Sequence, residues 1–375
     1  MSEITITWLD PDAARPAHDV LVRLVALTDR AFDAGDVSAY LMEPHAGGVW
    51  TWTADLPADL RSSYQLCPVR DRPLRGRLID QDRWAAVVAA GVPDPCCPDR
   101  LPPGCVYGNP DAPASVLSLP GALPQPWAGH RPGIARGSLA RTPLAGGSLV
   151  HVYRSPGADR QPAPLLVVFD GQRLLATDVA ATFDNLAADR AAAPLTAVVV
   201  ESIRGSAPRG PTRISSLTVA AGLESFVVGE LLPAVEERYP VTADPALRVL
   251  AGHSLGAVAA LHLAARRPGL FGSVIAGSPA LWWPGENGQV SGASVAAAHA
   301  DHAPAGRVFL DAGSEEDGLL ADARAFHDTL VKAGHDVVYR EFRGGHDHAC
   351  WRGSLADGIV AVLGQGADGE AASVG

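Results

Sequence analysis

The chain has 375 residues, 47% hydrophobic and 19% charged, which is enough for about two domains with a large core. A formal charge of −11 excludes the broad basic footprint of nonspecific nucleic-acid binding, although a local arginine cluster could still hold a small anion. No apolar run approaches the ~20 residues of a membrane-spanning helix.

The chain opens with "MSEITITWLDPD", which lacks the basic and apolar regions of an export signal, so a cytoplasmic protein without a membrane partner is expected. From residue 3 to 69 the pieces "ITITWLD", "DVLVRLVALT", "SAYLMEP", "GVWTWTADL" and "SSYQLCPV" are short, rich in β-branched and aromatic residues, and separated by polar turns. They predict a small β-sandwich, with Trp50 and Trp52 alternating with Thr on one strand, either as part of a lid that the sandwich supplies or, more simply, packed into its core. A Pro-, Gly- and Arg-rich connection follows to about 145, interrupted by one helix-like piece, "DQDRWAAVVAAG". Its "DPCCPDRLPPGC" lacks the paired spacing of a zinc site, and the five cysteines are odd in number, so reduced thiols and no metal are expected.

From 147 the pattern changes. "SLVHVYRS", "PLLVVFD", "TAVVVES", "LRVLAGHS", "GSVIAGS", "RVFLDAG" and "DVVYREF" are continuous apolar strands. Between most of them lie helical stretches, "LESFVVGELLPAVEERY", "GAVAALHLAARRP" and "LLADARAFHDTLVKAG". This alternation implies a mostly parallel sheet covered on both faces. The division expected is a sandwich plus connection over 1–145, an α/β domain over 146–365, and a disordered tail over 366–375.

"GHSLG", residues 252–256, sits between strand "RVLA" and helix "AVAALHLAA". That is the setting of a nucleophile elbow, in which a sharp strand-to-helix turn exposes a serine and the flanking glycines let the backbone cross closely. Ser254 is therefore the candidate nucleophile. The chemistry then asks for an acid and a histidine, in that order, further along the chain. "RVFLDAGSEEDGLL" offers Glu316 and Asp317, and "EFRGGHDHACW" offers His346 and His348. His346, directly after Gly344-Gly345, suits a base on a tight loop, whereas His253, His262 and His302 have structural explanations. An oxyanion hole needs two backbone N–H groups. Leu255, following the serine, supplies one, and Gln172 in "VVFDGQRLL" is the candidate for the other.

These segments resemble a known family. "VVFDGQRLL", "ESFVVGELLPAVEERYP", "AGHSLGAVAALHLAARRPGLFGSVIAGSPALWWPG" and "GGHDHACWRGSLADGI" are similar to the enterochelin (enterobactin) esterases, the siderophore branch of the esterase D-like α/β hydrolases. "WLDPD", "GGVWTWTADLPADLRSSYQL" and "SVLSLPGALPQPW" resemble that family's N-terminal sandwich. The resemblance implies an α/β-hydrolase domain preceded by a β-sandwich, and hydrolysis of the trilactone ester bonds of a catecholate siderophore. Fe(III) would enter as part of the substrate and no cofactor would be needed. The resemblance also implies Ser254 as nucleophile, His346 as base, Glu316 as acid three residues after Gly313, and Leu255 with Gln172 as oxyanion hole. The chain departs from the family where a strand ending in Asp-Ala-Ile-Asp reads "ESIRG" here.

A ferric tris-catecholate is bulky, aromatic and polyanionic, so it calls for cations and flat surfaces. Arg204, Arg209 and Arg213 in "SIRGSAPRGPTR", Arg173 beyond the oxyanion loop and Arg352 near His346 are candidates, because a guanidinium pairs with oxyanions and stacks on rings. Trp282 and Trp283 could form a catechol-facing wall, or pack as core. The competing expectation is an esterase acting on another acyl or feruloyl ester. A homodimer is compatible with the sequence.

Overall fold

The computed structural model describes residues 1–76, 79–144, 149–201, 213–285, 289–301 and 306–364. Arg204, Arg209, His302, the 145–146 boundary and the expected tail lie outside the described residues. Two compact units emerge. The first is Met1–Pro124 with Gly313–Glu316 and Glu341–Trp351, and the second is Gln125–Ala312, Asp317–Arg340 and Arg352–Gly375.

The first unit contains β1 (Ser2–Leu9), β2 (Asp19–Leu24), α1 (Val25–Asp33), β3 (Glu43–Pro44), β4 (Val49–Leu56), β5 (Arg61–Val69), α2 (Gln81–Ala89), β6 (Arg100–Leu101) and β7 (Ala114–Ser118). They form two antiparallel sheets, ordered β1-β4-β3 and β2-β5-β7-β6. In the β1–β4 ladder Ile6 lies opposite Trp52 and Trp8 opposite Trp50. Alternation turns these four side chains inward, where they share one core with Val20, Val22, Leu24, Tyr64 and Leu66 of the other sheet. This is the sandwich that the sequence predicts, and Trp50 and Trp52 are buried in it.

One strand is shorter than its β-branched run suggests. "DVLVRLVALT" is extended only to Leu24, and Val25 begins α1. Thr28 closes the turn, its hydroxyl receiving the Leu24 N–H at 3.0 Å and donating to the Val22 carbonyl at 3.1 Å. Burial of Ala26 and Thr28 then outweighs the weak local preference for strand. The helix expected at "DQDRWAAVVAAG" is α2, capped by Asp80, whose carboxylate accepts the Arg83 N–H at 2.8 Å.

The remaining elements are β8 (Ser138–Pro143), β9 (Leu149–Arg154), β10 (Leu165–Val168), α3 (Gly171–Ala176), α4 (Val179–Ala188), β11 (Thr196–Val200), α5 (Arg213–Thr218), α6 (Ala220–Glu224), α7 (Leu232–Arg238), β12 (Arg248–His253), α8 (Leu255–Arg266), β13 (Ser273–Gly277), α9 (Gly292–Asp301), β14 (Arg307–Gly313), α10 (Gly318–Lys332), β15 (Asp336–Phe342) and α11 (His348–Leu363). One sheet runs β15-β14-β13-β12-β10-β11-β9-β8. Its centre is parallel, from β14 through β13, β12 and β10 to β11, and β9 and β8 join it antiparallel. All seven predicted strands are present.

Strands β10 to β13 are buried along their whole length, as a sheet covered on both faces requires. Leu165, Val167 and Phe169 pack with α7, α8, α9 and α10, while Leu166 and Val168 pack with α3, α4 and α11. Before α7 the helix widens into a π-helical stretch, Ser225–Leu231. Pro233, which cannot donate to the turn behind it, accounts for the irregularity. The connection after residue 124 is ordered on α4. Asn185 donates to the Trp127 and Gly129 carbonyls at 2.9 and 2.7 Å, and Arg131 grips Asp189. β8 then adds an edge strand within what the sequence reads as connection, invisible in its pattern because nearly all of it is exposed.

Candidate active site

Ser254 stands between β12 and α8 with φ 58° and ψ −125°, a backbone conformation that L-residues rarely adopt. Such a residue costs of order 1–3 kcal/mol and persists only when its surroundings over-determine it. They do so here by close packing. A Cβ on Gly252 would stand 2.3 Å from the Gly256 carbonyl carbon and 2.8 Å from Ala257 N. The Ser254 N–H is tied to the Gly277 carbonyl at 3.0 Å, and its carbonyl accepts the Ala280 N–H at 3.3 Å. Leu255 is the first residue of α8, so its N–H has no partner within the helix and lies at the positive end of the helix dipole. Gln172 is the second residue of α3, which follows β10 through Asp170 in the left-handed conformation.

The candidate acid Glu316 and the candidate base His346 are built together in the first unit. Gly313 ends β14, and a Cβ there would stand 2.3 Å from the Gly344 carbonyl oxygen, so only glycine lets the two loops approach. Ser314 N–H donates to the Phe342 carbonyl at 2.8 Å and Glu315 N–H to the Gly344 carbonyl at 3.0 Å. On this frame Glu316, whose side chain is 0% exposed, brings Oε2 to 3.6 Å from His346 Nδ1. The His346 ring meets Trp351 edge-on at 4.5 Å between centroids and faces Tyr107 at 6.0 Å. The other candidates are placed differently. Asp317 is exposed at the start of α10, and His348 is buried as the first residue of α11.

The chain's relatives bear on what such a constellation does. The family model "Enterochelin esterase, N-terminal" matches residues 3–128, and the model described as "Putative esterase" matches 149–362. The chain belongs to the enterochelin esterase family. It is 30% identical to the iron(III) salmochelin esterase of Escherichia coli, over 96% of this chain and 88% of that protein. It is 29% identical to the iron(III) enterobactin esterase of Dickeya dadantii, over 99% of this chain and 89% of that protein. The crystal structure of the enterobactin esterase of Shigella flexneri in the presence of enterobactin superimposes with a TM-score of 0.81 at 25% identity, covering 96% of this chain and 92% of that one. The chain is accordingly a carboxylic ester hydrolase.

In this esterase two of the described candidate cations, Arg213 and Arg352, are already engaged. Arg213, the first residue of α5, donates through Nε to both Asp170 oxygens at 2.9 and 3.0 Å and through Nη2 to Oδ2. That carboxylate also borders the elbow, because a Cβ on Gly256 would lie 3.5 Å from Asp170 Oδ2. Arg213 is thus ion-paired with Asp170 beside the turn that carries Ser254. Arg352 donates to Gln125 Oε1 at 2.9 Å, and Arg173 lies half-buried in α3. The tryptophans split their roles. Trp282 is 58% exposed, while Trp283 packs against the main core, and the two rings meet in a T-shaped pair with centroids 5.9 Å apart. All five cysteines are free, and the described residues contain no group of three or more side chains able to hold a metal ion. No helix among them is long and apolar enough to cross a membrane.

Three residues around the Glu316–His346 pair have no role in the sequence analysis: Tyr107, and Trp351 and Asp347, which lie within the quoted segment "GGHDHACWRGSLADGI". Tyr107 is fixed from a distance by Arg23, which donates to its carbonyl at 2.8 Å while gripping Asp29 at 2.8 and 2.7 Å. Asp347 is fully buried beside His346. What Asp347 holds is not local, since Ser63 lies 284 positions away.

Proposed function

We infer that this esterase hydrolyses the ester bonds of a catecholate siderophore trilactone, through an acyl-enzyme on Ser254. The observation that carries the reading is the strained Ser254 at the head of α8, followed along the chain by a Glu316–His346 pair at 3.6 Å. The acid and histidine follow β14 and β15, strands of the same sheet whose β12 ends at the serine. That is the chain order of a hydrolase triad. The names of the two relatives favour a siderophore over a feruloyl ester as the substrate class.

The chemistry follows from the groups present. His346 takes the proton of Ser254 as Oγ attacks the ester carbonyl, and Glu316 holds the ring and stabilises the imidazolium that forms. The Leu255 and Gln172 N–H groups receive the developing oxyanion. Collapse of the intermediate breaks the carbonyl–alkoxide bond, and the His346 imidazolium protonates the departing alkoxide. Water, deprotonated by His346, then releases the acid and restores Ser254. Arg213 lies where it can face the charge of a ferric complex, with Arg173, Arg352 and the exposed face of Trp282 as further contacts.

The test is mass-detected chromatography of enterobactin, with and without Fe(III), incubated with the enzyme and with Ser254→Ala. Linear trimer, dimer and monomer are expected with the native enzyme alone. Intact trilactone alongside normal turnover of a nitrophenyl ester would overturn the substrate. Arg213→Ala should raise KM for the ferric complex more than for the iron-free ligand, and an equal change for both would remove its charge role.

A further inference from the structure

The loop that carries His346 is not held by its own strand and helix alone. Asp347, the next residue, turns its side chain away from the ring and into the sandwich. Its Oδ2 accepts the Ser63 N–H at 2.5 Å and lies 3.4 Å from the Ser62 hydroxyl, and its Oδ1 accepts the Ala349 N–H at 2.9 Å. Ser62 and Ser63 belong to β5, so one buried carboxylate clasps a sandwich strand with one oxygen and the first turn of α11 with the other. The Ser62 hydroxyl also accepts the Ala26 N–H at 3.1 Å, which extends the same grip to α1.

Packing fits this arrangement. A Cβ on Gly345 would stand 2.7 Å from Ala26 Cα, so the residue before His346 lies directly on α1. On the opposite flank the Arg61 N–H donates to the Arg343 carbonyl at 3.0 Å. The acid loop is tied to the same surface, since Glu315 pairs with Arg30 of α1 at 2.7 Å and with Arg343 at 2.9 Å. A buried carboxylate bonded to separate backbone amides is an exacting requirement. Burial pushes the Asp347 carboxyl above its ordinary range, and the hydrogen bonds it accepts oppose that rise. No neutral side chain of this size accepts two amide protons on two different oxygens.

We propose that Asp347 is the positioning residue of the active-site histidine: by clasping β5 and α11 it fixes the His346 loop in the register that presents the ring to Glu316, and makes the N-terminal sandwich a working part of the hydrolytic machinery. This rests on the triad reading of Ser254, Glu316 and His346. Asp347 touches neither substrate nor reacting atoms and acts through His346 alone.

The test is a double-mutant cycle on the full chain, with kcat and KM read on a nitrophenyl ester and folding followed by thermal melting. Asp347→Asn keeps the shape but leaves one buried amide proton facing an NH2 group. It should lower kcat by about a hundredfold, the scale of a misplaced catalytic group, with KM nearly unchanged. In a His346→Ala background the same change should cost nothing further, because the group it positions is gone. Gly345→Ala, which lifts the loop off Ala26 and leaves the carboxylate bonded, should give a smaller loss of kcat with the same non-additivity, and it carries the test if Asp347→Asn does not fold. Native kcat in Asp347→Asn, or an additional loss on top of His346→Ala, would overturn the proposal. A His346→Ala enzyme with native activity would instead overturn the triad itself.

Discussion

The serine elbow and the acid–histidine loops both hold a reactive side chain still, but they use different forces. At the elbow the constraint is contact between backbone atoms, since Gly252 is pressed against Gly256 and Ala257 and the strain at Ser254 is stored within a few residues. At the loops the constraint is charge and hydrogen bonding drawn from far along the chain, with Asp347 on Ser63 and Glu315 on Arg30. Steric constraint is insensitive to pH and intolerant of added atoms. Polar constraint tolerates small changes of shape and depends on the state of its carboxylates. A hydrolase built on both should therefore fail in two distinguishable ways.

The largest effects test whether the two regions serve one reaction. Ser254→Ala should lower turnover by about 10⁶-fold with the fold intact, and a loss below tenfold would separate the elbow from the chemistry. Glu316→Gln should lower kcat by about 10⁴-fold, the scale of a triad acid replaced by its amide. Asp317→Asn, an exposed change at the start of α10, should leave stability and rate nearly untouched. Steady-state kinetics on a nitrophenyl ester decides the ranking, and the reverse order would reassign the acid.

The same division governs what can be read from the sequence. The elbow is legible because its constraint is local: GxSxG, a preceding apolar strand and a following helix lie within one short window. The parallel strands are legible because burial on both faces leaves continuous apolar runs. The candidate acid is narrowed only to Glu316 or Asp317, since neighbouring carboxylates look alike until the backbone turns one toward His346 and leaves the other exposed. Asp347 lies in a segment that resembles the family, but its part is not legible there, because its partner is Ser63, 284 positions earlier. α1 is missed for a related reason, as its β-branched sequence favours strand and only the Thr28 turn and the burial of one face override it. β8 is missed because an edge strand exposed along most of its length carries no alternation.

The steric half of the comparison can be broken one glycine at a time. Gly252→Ala places a methyl 2.3 Å from backbone, which cannot move without unseating Ser254, and should cost about 3 kcal/mol or more in stability. Gly256→Ala meets its nearest neighbours at 3.5 Å, an ordinary contact, and should cost well under half as much. Denaturant titration of both variants measures the difference. Equal costs would mean that the elbow is not held by the close crossing at Gly252.

A further expected effect is a pH sensitivity on the elbow's own helix. His299 on α9 is 0% exposed and bonds through Nε2 to the Leu261 carbonyl of α8 at 3.0 Å, with His335 5.3 Å away between ring centroids. Burial, with the neighbouring His335 and His262, holds its pKa down to about 4, against an ordinary 6.5. Above the ordinary value neither the folded nor the unfolded chain binds the proton, so His299 contributes no pH dependence there. Between 6.5 and about 4 the unfolded chain takes it up and the folded one does not, so stability falls with acidification. At pH 5 the loss should be about 2 kcal/mol relative to neutral pH. Asp347 works in the opposite direction, because a carboxyl raised by burial binds its proton more readily in the folded chain, and acid relieves part of its cost. His299→Gln should therefore flatten the fall in denaturant midpoint between pH 7 and 5, whereas Asp347→Asn should leave it or steepen it. If His299→Gln leaves the slope unchanged, the acid sensitivity does not lie with the helix behind the serine.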